Sequence, residues 1–219
     1  RALGHRAIRI PLGVDLRVWP PLAPRARSGG TARLIHVASI NRVKDQPTLL
    51  RALATLAREG LDFQLDIVGV DTLHGEMRVL VRQLGLQQHV RFLDFKTQRQ
   101  LRPLMETADL LVMSSLHEAG PLVLLEAAVT GVPTVGTAVG HLVEWAPAAA
   151  LAVRPGDWVA LAAAIRSVLV DEALRLRLAR EAQRCALKEN ADCTAQLFEA
   201  LYRRLVGASN PTYGDIRQV

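Results

Sequence analysis

Ser114-Ser115-Leu116-His117-Glu118-Ala119-Gly120-Pro121-Leu122-Val123-Leu124-Leu125-Glu126-Ala127-Ala128 is the segment around which the chain is organised. An apolar run of strand length, Ala108 to Met113, precedes it, and an apolar series containing one acid, Glu126, follows Gly120-Pro121. The pattern predicts strand, loop, helix. Glycine frees the backbone at the turn and proline is tolerated in a first helical turn, so the helix is expected to begin near Pro121. The N–H groups of Leu122 and Val123 would then be free of intrahelical partners and would favour an anion such as phosphate. Glu118 would lie in the loop beside that anion, and Glu126 one turn into the helix, on the face of Leu122. A ligand with a charged centre and hydroxyls on both sides suits this layout. On spacing alone, a solvated loop acid and an ordinary helix carboxylate explain the pair better, because acids early in helices are common.

The chain has 219 residues, half of them hydrophobic and 4% aromatic. That is enough to bury a real core and fits an α/β protein rich in Ala, Leu and Val. The net charge of +6 raises the question of nucleic acid or an anionic membrane. The arginines, such as Arg166, Arg175, Arg177, Arg180 and Arg184, are spread through helical stretches with acids among them and no interleaved aromatics. This argues against nucleic acid and for a solvated surface, with weak peripheral contact to anionic lipid as the remaining membrane option. No apolar run is long enough to cross a bilayer and no apolar leader opens the sequence, so a cytoplasmic protein is expected. Cys185 and Cys193 have no metal-ligand spacing and form no disulfide framework, which makes a reducing compartment the default.

Read in order, Ile8 to Leu16 predicts a short strand broken by Pro11 and a turn at Gly13, and Pro20 to Gly30 a linker. Strands are expected at Arg33–Ala38, Phe63–Val68, Val90–Phe95, Ala108–Met113 and Thr134–Gly136, with a further apolar run at Ala148–Val153. Helices are expected at Pro47–Glu59, Met77–Leu84 and Gln98–Thr107, then at Trp158–Leu169, Glu172–Lys188 and Cys193–Leu205; Gly140-His141 reads as a turn. This alternation predicts an α/β, Rossmann-like doubly wound parallel sheet flanked by helices, with C-terminal helices appended. Ligands of such sheets bind at the carboxyl ends of the strands. The expected division is an interdomain remnant over 1–30, a nucleotide-binding domain over 31–206 and a loose tail over 207–219.

Glu118 and Glu126 enclose seven residues; Gly131-Val132-Pro133-Thr134-Val135-Gly136-Thr137, Val139-Gly140, Glu144 and Arg154-Pro155-Gly156-Asp157 follow in order. This series resembles the donor-binding, C-terminal half of the retaining family-four GT-B glycosyltransferases, the glycosyl transferases group 1. Their signature is Glu-x7-Glu followed by a Gly-x-Pro-x-x-Gly-Thr strand, and the resemblance covers nearly the whole chain. It implies transfer of a hexosyl group from a nucleotide-diphosphate sugar to an acceptor, with retention of configuration, in glycan, glycolipid or polysaccharide biosynthesis. In that family a Pro-x-Gly-Val-Asp stretch, here Pro11-Leu12-Gly13-Val14-Asp15, leads from the first domain into the second. The resemblance therefore implies a second domain without its first. Such a chain is expected to bind donor but to transfer poorly, since the acceptor glycan, lipid or small molecule is held largely by the missing domain.

The resemblance also assigns residues. Lys44 matches a phosphate-binding lysine, while Ser39 stands where the family has arginine, and Arg42 is carried only as a substitute reaching in from three residues on. Glu118 is implied to accept from donor-sugar hydroxyls and, with Lys44, to support catalysis; Glu126 is implied to accept from the two ribose hydroxyls. The loop reads Glu118-Ala119-Gly120-Pro121 in place of Glu-Gly-Phe-Gly, so Pro121 removes one N–H and the amides must come from Leu122 and Val123. The base is expected beside Phe95, Lys96 and Thr97, with Asp94 where glycine is usual. His141 and Glu144 are expected to be peripheral, and His36 to be a satisfied core histidine. No metal and no cofactor are expected. Two other readings are a non-catalytic nucleotide- or partner-binding module on the same half-fold, and an NAD-binding domain. The latter is disfavoured because Val37 to Lys44 contains no glycine.

Overall fold

A computed structural model describes residues 8–207 of the chain. Its strands are β1 (Ala32–Val37), β2 (Phe63–Val68), β3 (Val90–Phe92), β4 (Leu110–Met113), β5 (Thr134–Thr137) and β6 (Leu151–Val153). All pair in parallel in the order β3-β2-β1-β4-β5-β6. The helices among the described residues are α1 (Gln46–Arg58), α2 (Glu76–Gln83), α3 (Gln98–Thr107), α4 (Leu122–Val129), α5 (His141–Trp145), α6 (Trp158–Val170), α7 (Glu172–Lys188) and α8 (Ala191–Gly207). The expected doubly wound architecture is present.

Both faces of the sheet are covered, which is why central β4 is apolar throughout and β1 is apolar apart from Arg33 and His36. On one face Leu49, Leu50, Leu53 and Leu56 of α1 meet Leu34 and Leu65 of the sheet and Leu161 and Ile165 of α6. On the other, Leu101 and Met105 of α3 and Leu124, Leu125 and Ala128 of α4 meet Ile35, Leu111 and Met113, with Ala182 and Ala186 of α7 beneath them. The chain leaves β1 toward the first face and β4 toward the second, so the strand order reverses between these neighbours. Right-handed crossovers then open a crevice at their carboxyl ends.

Several local expectations are corrected. Ile8 to Leu16 is not a strand: it runs extended, with a turn at Leu16-Arg17-Val18, and pairs with neither sheet edge. Its polar backbone is satisfied elsewhere, since Pro11 C=O accepts from Thr194 Oγ1 at 2.7 Å and Val14 C=O from the Ala191 N–H at 3.1 Å. The stretch read as a linker is packed into the domain. Trp19 is 1% exposed among Val14 and the α4 side of the core. The Leu22 N–H donates to Val129 C=O, and Gln183 Nε2 of α7 donates to both Leu22 C=O and Val129 C=O. The prolines stiffen a strap whose aromatic fills a core gap.

The third strand ends at Phe92 instead of Phe95. Asp94 adopts a left-handed φ of 54°, which breaks the strand and explains why glycine is the easy residue there. Gly140-His141 is not a free turn but the start of α5. The tail expected to be loose lies, from residue 208 on, outside the described residues.

Because Trp19 fills the space over α4, Trp19→Ala should remove about 3–5 kcal/mol of stability. Urea titration followed by far-ultraviolet circular dichroism measures this. A loss under about 1 kcal/mol would show that the strap is not part of the core.

Candidate functional site

The site is assembled from the loops that follow β1, β4 and β5. After β1, Asn41 Oδ1 accepts from the N–H groups of Val43 and Lys44 at 3.0 and 3.1 Å, capping a 3₁₀ turn over Arg42–Lys44. Asp45 follows in left-handed conformation and starts α1. This fixes the Lys44 backbone at the crevice. His36 and Gln46 brace it from below: His36 Nδ1 lies 2.9 Å from Val112 C=O and its Nε2 3.2 Å from Gln46 Nε2. With Val112 accepting and the Gln46 amide donating, the imidazole proton sits on Nδ1. Burial pushes the His36 pKa down to about 4, and the nearby Lys44 charge adds to the shift. His36 is thus the satisfied core histidine expected from its apolar strand.

The loop after β4 is tied to the first. Ser114 Oγ donates to Lys44 C=O at 2.7 Å, and the Leu116 N–H donates to Val43 C=O at 2.8 Å. Thr137 Oγ1, at the end of β5, donates to Ser115 C=O. These bonds leave Glu118 facing Lys44. Lys44 Nζ stands 2.6 Å from Glu118 Oε1, and Ser115 Oγ donates to the same oxygen at 2.7 Å. The two charged side chains are only 24% and 10% exposed, so their attraction is less screened than that of a surface pair. Gly140 lets the β5 loop close on this pair: a Cβ there would stand 3.1 Å from Glu118 Cβ, and φ is 54°.

Pro121 is the N-cap of α4, and the first helical residue is Leu122. The first backbone bond inside the turn is Leu124 N–H to Pro121 C=O, which leaves the Leu122 and Val123 N–H groups without a backbone acceptor among the described residues. They lie on the same loop as Glu118, four and five residues on, with the exposed Ala119 and the half-buried Gly120 between. One turn further, Glu126 is 8% exposed, and burial pushes its pKa up to about 7 with no partner to lower it again. An acid in an otherwise apolar helix, desolvated and unpaired, is costly for folding, and such groups concentrate where a ligand supplies the missing partner.

The remaining candidates separate. The Arg42 guanidinium is 71% exposed and paired with Glu76 of α2 at 2.8 Å, so it is not held at Glu118. Ser39 is exposed, and its carbonyl accepts from Gln46 Nε2. Phe95 is 65% exposed beyond β3, Lys96 Nζ is bound to Leu93 C=O, and Thr97 caps α3 through a reciprocal pair with Gln100. Glu144 is exposed and paired with Arg9.

His141 is the residue that sequence reasoning misplaced. It is 8% exposed and lies against Gly120, where an added Cβ would meet its ring at 3.4 Å; its Nδ1 is buried with no hydrogen-bond partner. The available signal was Gly140, whose freedom is what brings the ring onto the Glu118 loop. Among the described residues no cluster of three metal-ligating side chains occurs and no helix is long and apolar enough to cross a membrane.

Comparison with known proteins bears on the family and the fold. The family model described as glycosyl transferases group 1 matches residues 23–184. Glycogen synthase of Mycobacterium tuberculosis is 32% identical over 198 residues, 87% of this chain and 48% of that protein. Among solved structures, sucrose-phosphate synthase from Thermosynechococcus elongatus superposes with a TM-score of 0.79 at 27% identity, covering 91% of this chain and 53% of that one. HepE of Anabaena, solved in complex with UDP-glucose, superposes with a TM-score of 0.72 over 87% of this chain and 56% of its own, at 23% identity. The chain spans about half or less of the length of the curated relatives it matches. By the extent of the family match, and by a strand order and crevice that agree with it, this chain belongs to the glycosyl transferases group 1 family.

Proposed function

We propose that this chain is the donor-binding half of a retaining glycosyltransferase, which holds a nucleotide-diphosphate sugar while its hexosyl group passes to an acceptor on a second domain. The product would be a glycan, glycolipid or polysaccharide. The observation that carries the reading is the Lys44–Glu118 pair at the β1–β4 crevice, with Glu118 on the loop that leads into α4 and its two unpartnered amides; the desolvated, unpaired Glu126 one turn further on supports it. That HepE, a relative in fold, is solved with UDP-glucose supports a uridine nucleotide as the first donor to try.

In this reading Lys44 and Glu118 satisfy each other in the free protein and part when donor arrives. Lys44 turns to the diphosphate, and Glu118 accepts from sugar hydroxyls. The amides of Leu122 and Val123 complete the anion's shell, and Glu126 accepts from the ribose diol. Departure of the nucleoside diphosphate builds negative charge beside Lys44 and α4, and these fixed positive groups need little reorganisation to stabilise it. No resident metal is invoked, because the lysine and the helix head supply the countercharge.

Lys44→Ala should weaken UDP-glucose binding by about tenfold to a hundredfold, the range for one charge-assisted contact. Isothermal titration with UDP-, GDP- and ADP-glucose measures it, with Arg184→Ala as a control on loss of positive charge. Binding of NADH in place of every nucleotide sugar would reject the reading.

Glu126 gives a second test with a defined sign. Its carboxyl binds a proton more tightly in the folded protein than in the unfolded chain. Its contribution to stability is therefore full below about pH 4.5 and is lost as pH rises through about 7. Glu126→Gln should raise the stability of the free protein at pH 8 by up to roughly 3 kcal/mol and leave it unchanged at pH 4. The same variant should bind UDP-glucose more weakly. In the natural chain, affinity should climb by up to about tenfold from pH 6 to pH 8, as the carboxylate that accepts the diol forms. A flat profile for the natural chain would remove Glu126 from the site.

A further inference from the structure

A second cavity, of about 490 Å³, opens at the opposite end of the sheet, where β1 and β4 begin. Three arginines line it, Arg25, Arg27 and Arg33, together with the hydroxyl-bearing Ser28, Thr31 and Thr107. Its one carboxylate, Asp109, is buried and already taken: it accepts from the Arg33 backbone N–H at 2.9 Å and lies 3.3 Å from Arg25 and 3.5 Å from Arg27. Arg25 donates to the carbonyls of Glu106, Thr107 and Ala108 through Nε and one terminal nitrogen, which leaves its other terminal nitrogen without a partner among the described residues, and Arg27 donates to those of Leu169 and Gly30 while its buried Nε makes no hydrogen bond. Both guanidiniums are thereby held at fixed positions in the wall. The Arg33 side chain is exposed and has no acceptor among the described residues. Three positive charges thus face one negative charge. The nearby Asp62 stands outside the lining, behind the Thr31 hydroxyl that donates to it.

The wall contains no aromatic and no large apolar side chain, which leaves nothing for a base to stack on or an acyl chain to enter. Gly29, Gly30 and Thr31 bend around the rim, and Gly29 and Gly30 have φ of 83° and 73°, conformations that leave their backbone open to a close-lying ligand. We propose that this cavity is a second ligand site, distinct from the donor crevice, which takes a small phosphate-type oxyanion on Arg25, Arg27 and Arg33. Guanidiniums held in place by carbonyls suit a tetrahedral anion with several acceptor oxygens; Thr31 and Thr107 donate their hydroxyls to Asp62 and to the Pro103 and Leu104 carbonyls, which leaves the Ser28 hydroxyl for a hydroxylated body attached to the anion. The inference does not depend on what the donor crevice binds.

The test is isothermal titration of the full chain with inorganic phosphate and with glycerol 3-phosphate, at ionic strength matched by chloride. One saturable site is expected at a Kd below about 1 mM, weakened at least about fivefold by Arg33→Ala, which removes a side chain with no acceptor among the described residues and keeps the backbone bonds to Asp109. Lys44→Ala should leave this site intact, and Arg33→Ala should leave UDP-glucose affinity unchanged. Tighter binding of glycerol 3-phosphate would assign the site to a phosphate ester and equal binding to free phosphate, and either supports the shared chemistry. Phosphate binding lost with Lys44→Ala but kept with Arg33→Ala would place the anion in the donor crevice and overturn the proposal. Heat that vanishes against matched chloride would overturn it as well. So would Arg33-dependent sedimentation with phosphatidylserine vesicles in the absence of any small-phosphate binding, which would identify a membrane surface.

Discussion

The reversal of strand order between β1 and β4 is the constraint on which the rest of the molecule depends. Neighbouring parallel strands whose following helices cover opposite faces leave their carboxyl ends unroofed. Lys44 and Glu118 come from the two loops that part at that point, and they meet at 2.6 Å although 74 positions separate them. Ser114, Thr137 and the Leu116 N–H stitch the loops together through backbone carbonyls, so the spacing of the pair is set by the sheet and not by two flexible side chains. The ion pair is a consequence of topology, held by neutral hydrogen bonds.

The two ends of the sheet handle polar groups differently. At the carboxyl end, Glu126 is desolvated without a partner, a cost that folding alone does not explain. At the amino end, Arg175 is buried and fully engaged: it donates to the carbonyls of Arg25 and Asp109 and to Glu172, and so pins the strap to α7 and the start of β4. One end leaves a buried acid without a partner among the described residues, and the other satisfies its most buried charge internally. An unsatisfied group beside a satisfied framework is the pattern expected where binding, and not stability, has set the residue.

The strap from Pro11 to Pro24 changes what counts as the domain. Trp19 closes the core over α4, and Thr194 and Gln183 reach back to hold its backbone. The C-terminal helices and this opening stretch are therefore one layer. The first and last described elements are hydrogen-bonded to each other, which matters for any attempt to shorten the chain.

Much of this was legible from residue order. Short apolar runs marked five of the six strands, with the sixth showing only as a further apolar run at Ala148–Val153, and helical periodicity marked nearly every helix, because a sheet covered on both faces demands apolar strands and one-sided helices. The Glu118 to Glu126 spacing, with the glycine-proline strand that follows, marked the family, since an ordered series of such motifs is far more specific than any one of them. Other features needed the folded chain. Ile8 to Leu16 has strand composition but no sheet edge to join, and Pro20 to Pro24 has linker composition but anchors a tryptophan. Arg42 lies two residues from Lys44 and is held by Glu76 instead, because a 3₁₀ turn sends successive side chains in different directions. His141 reads as peripheral until Gly140 folds it onto Gly120. Local periodicity records which face of an element is buried, but contacts between distant segments depend on where the sheet places their loops, and that is decided only when all six strands have paired.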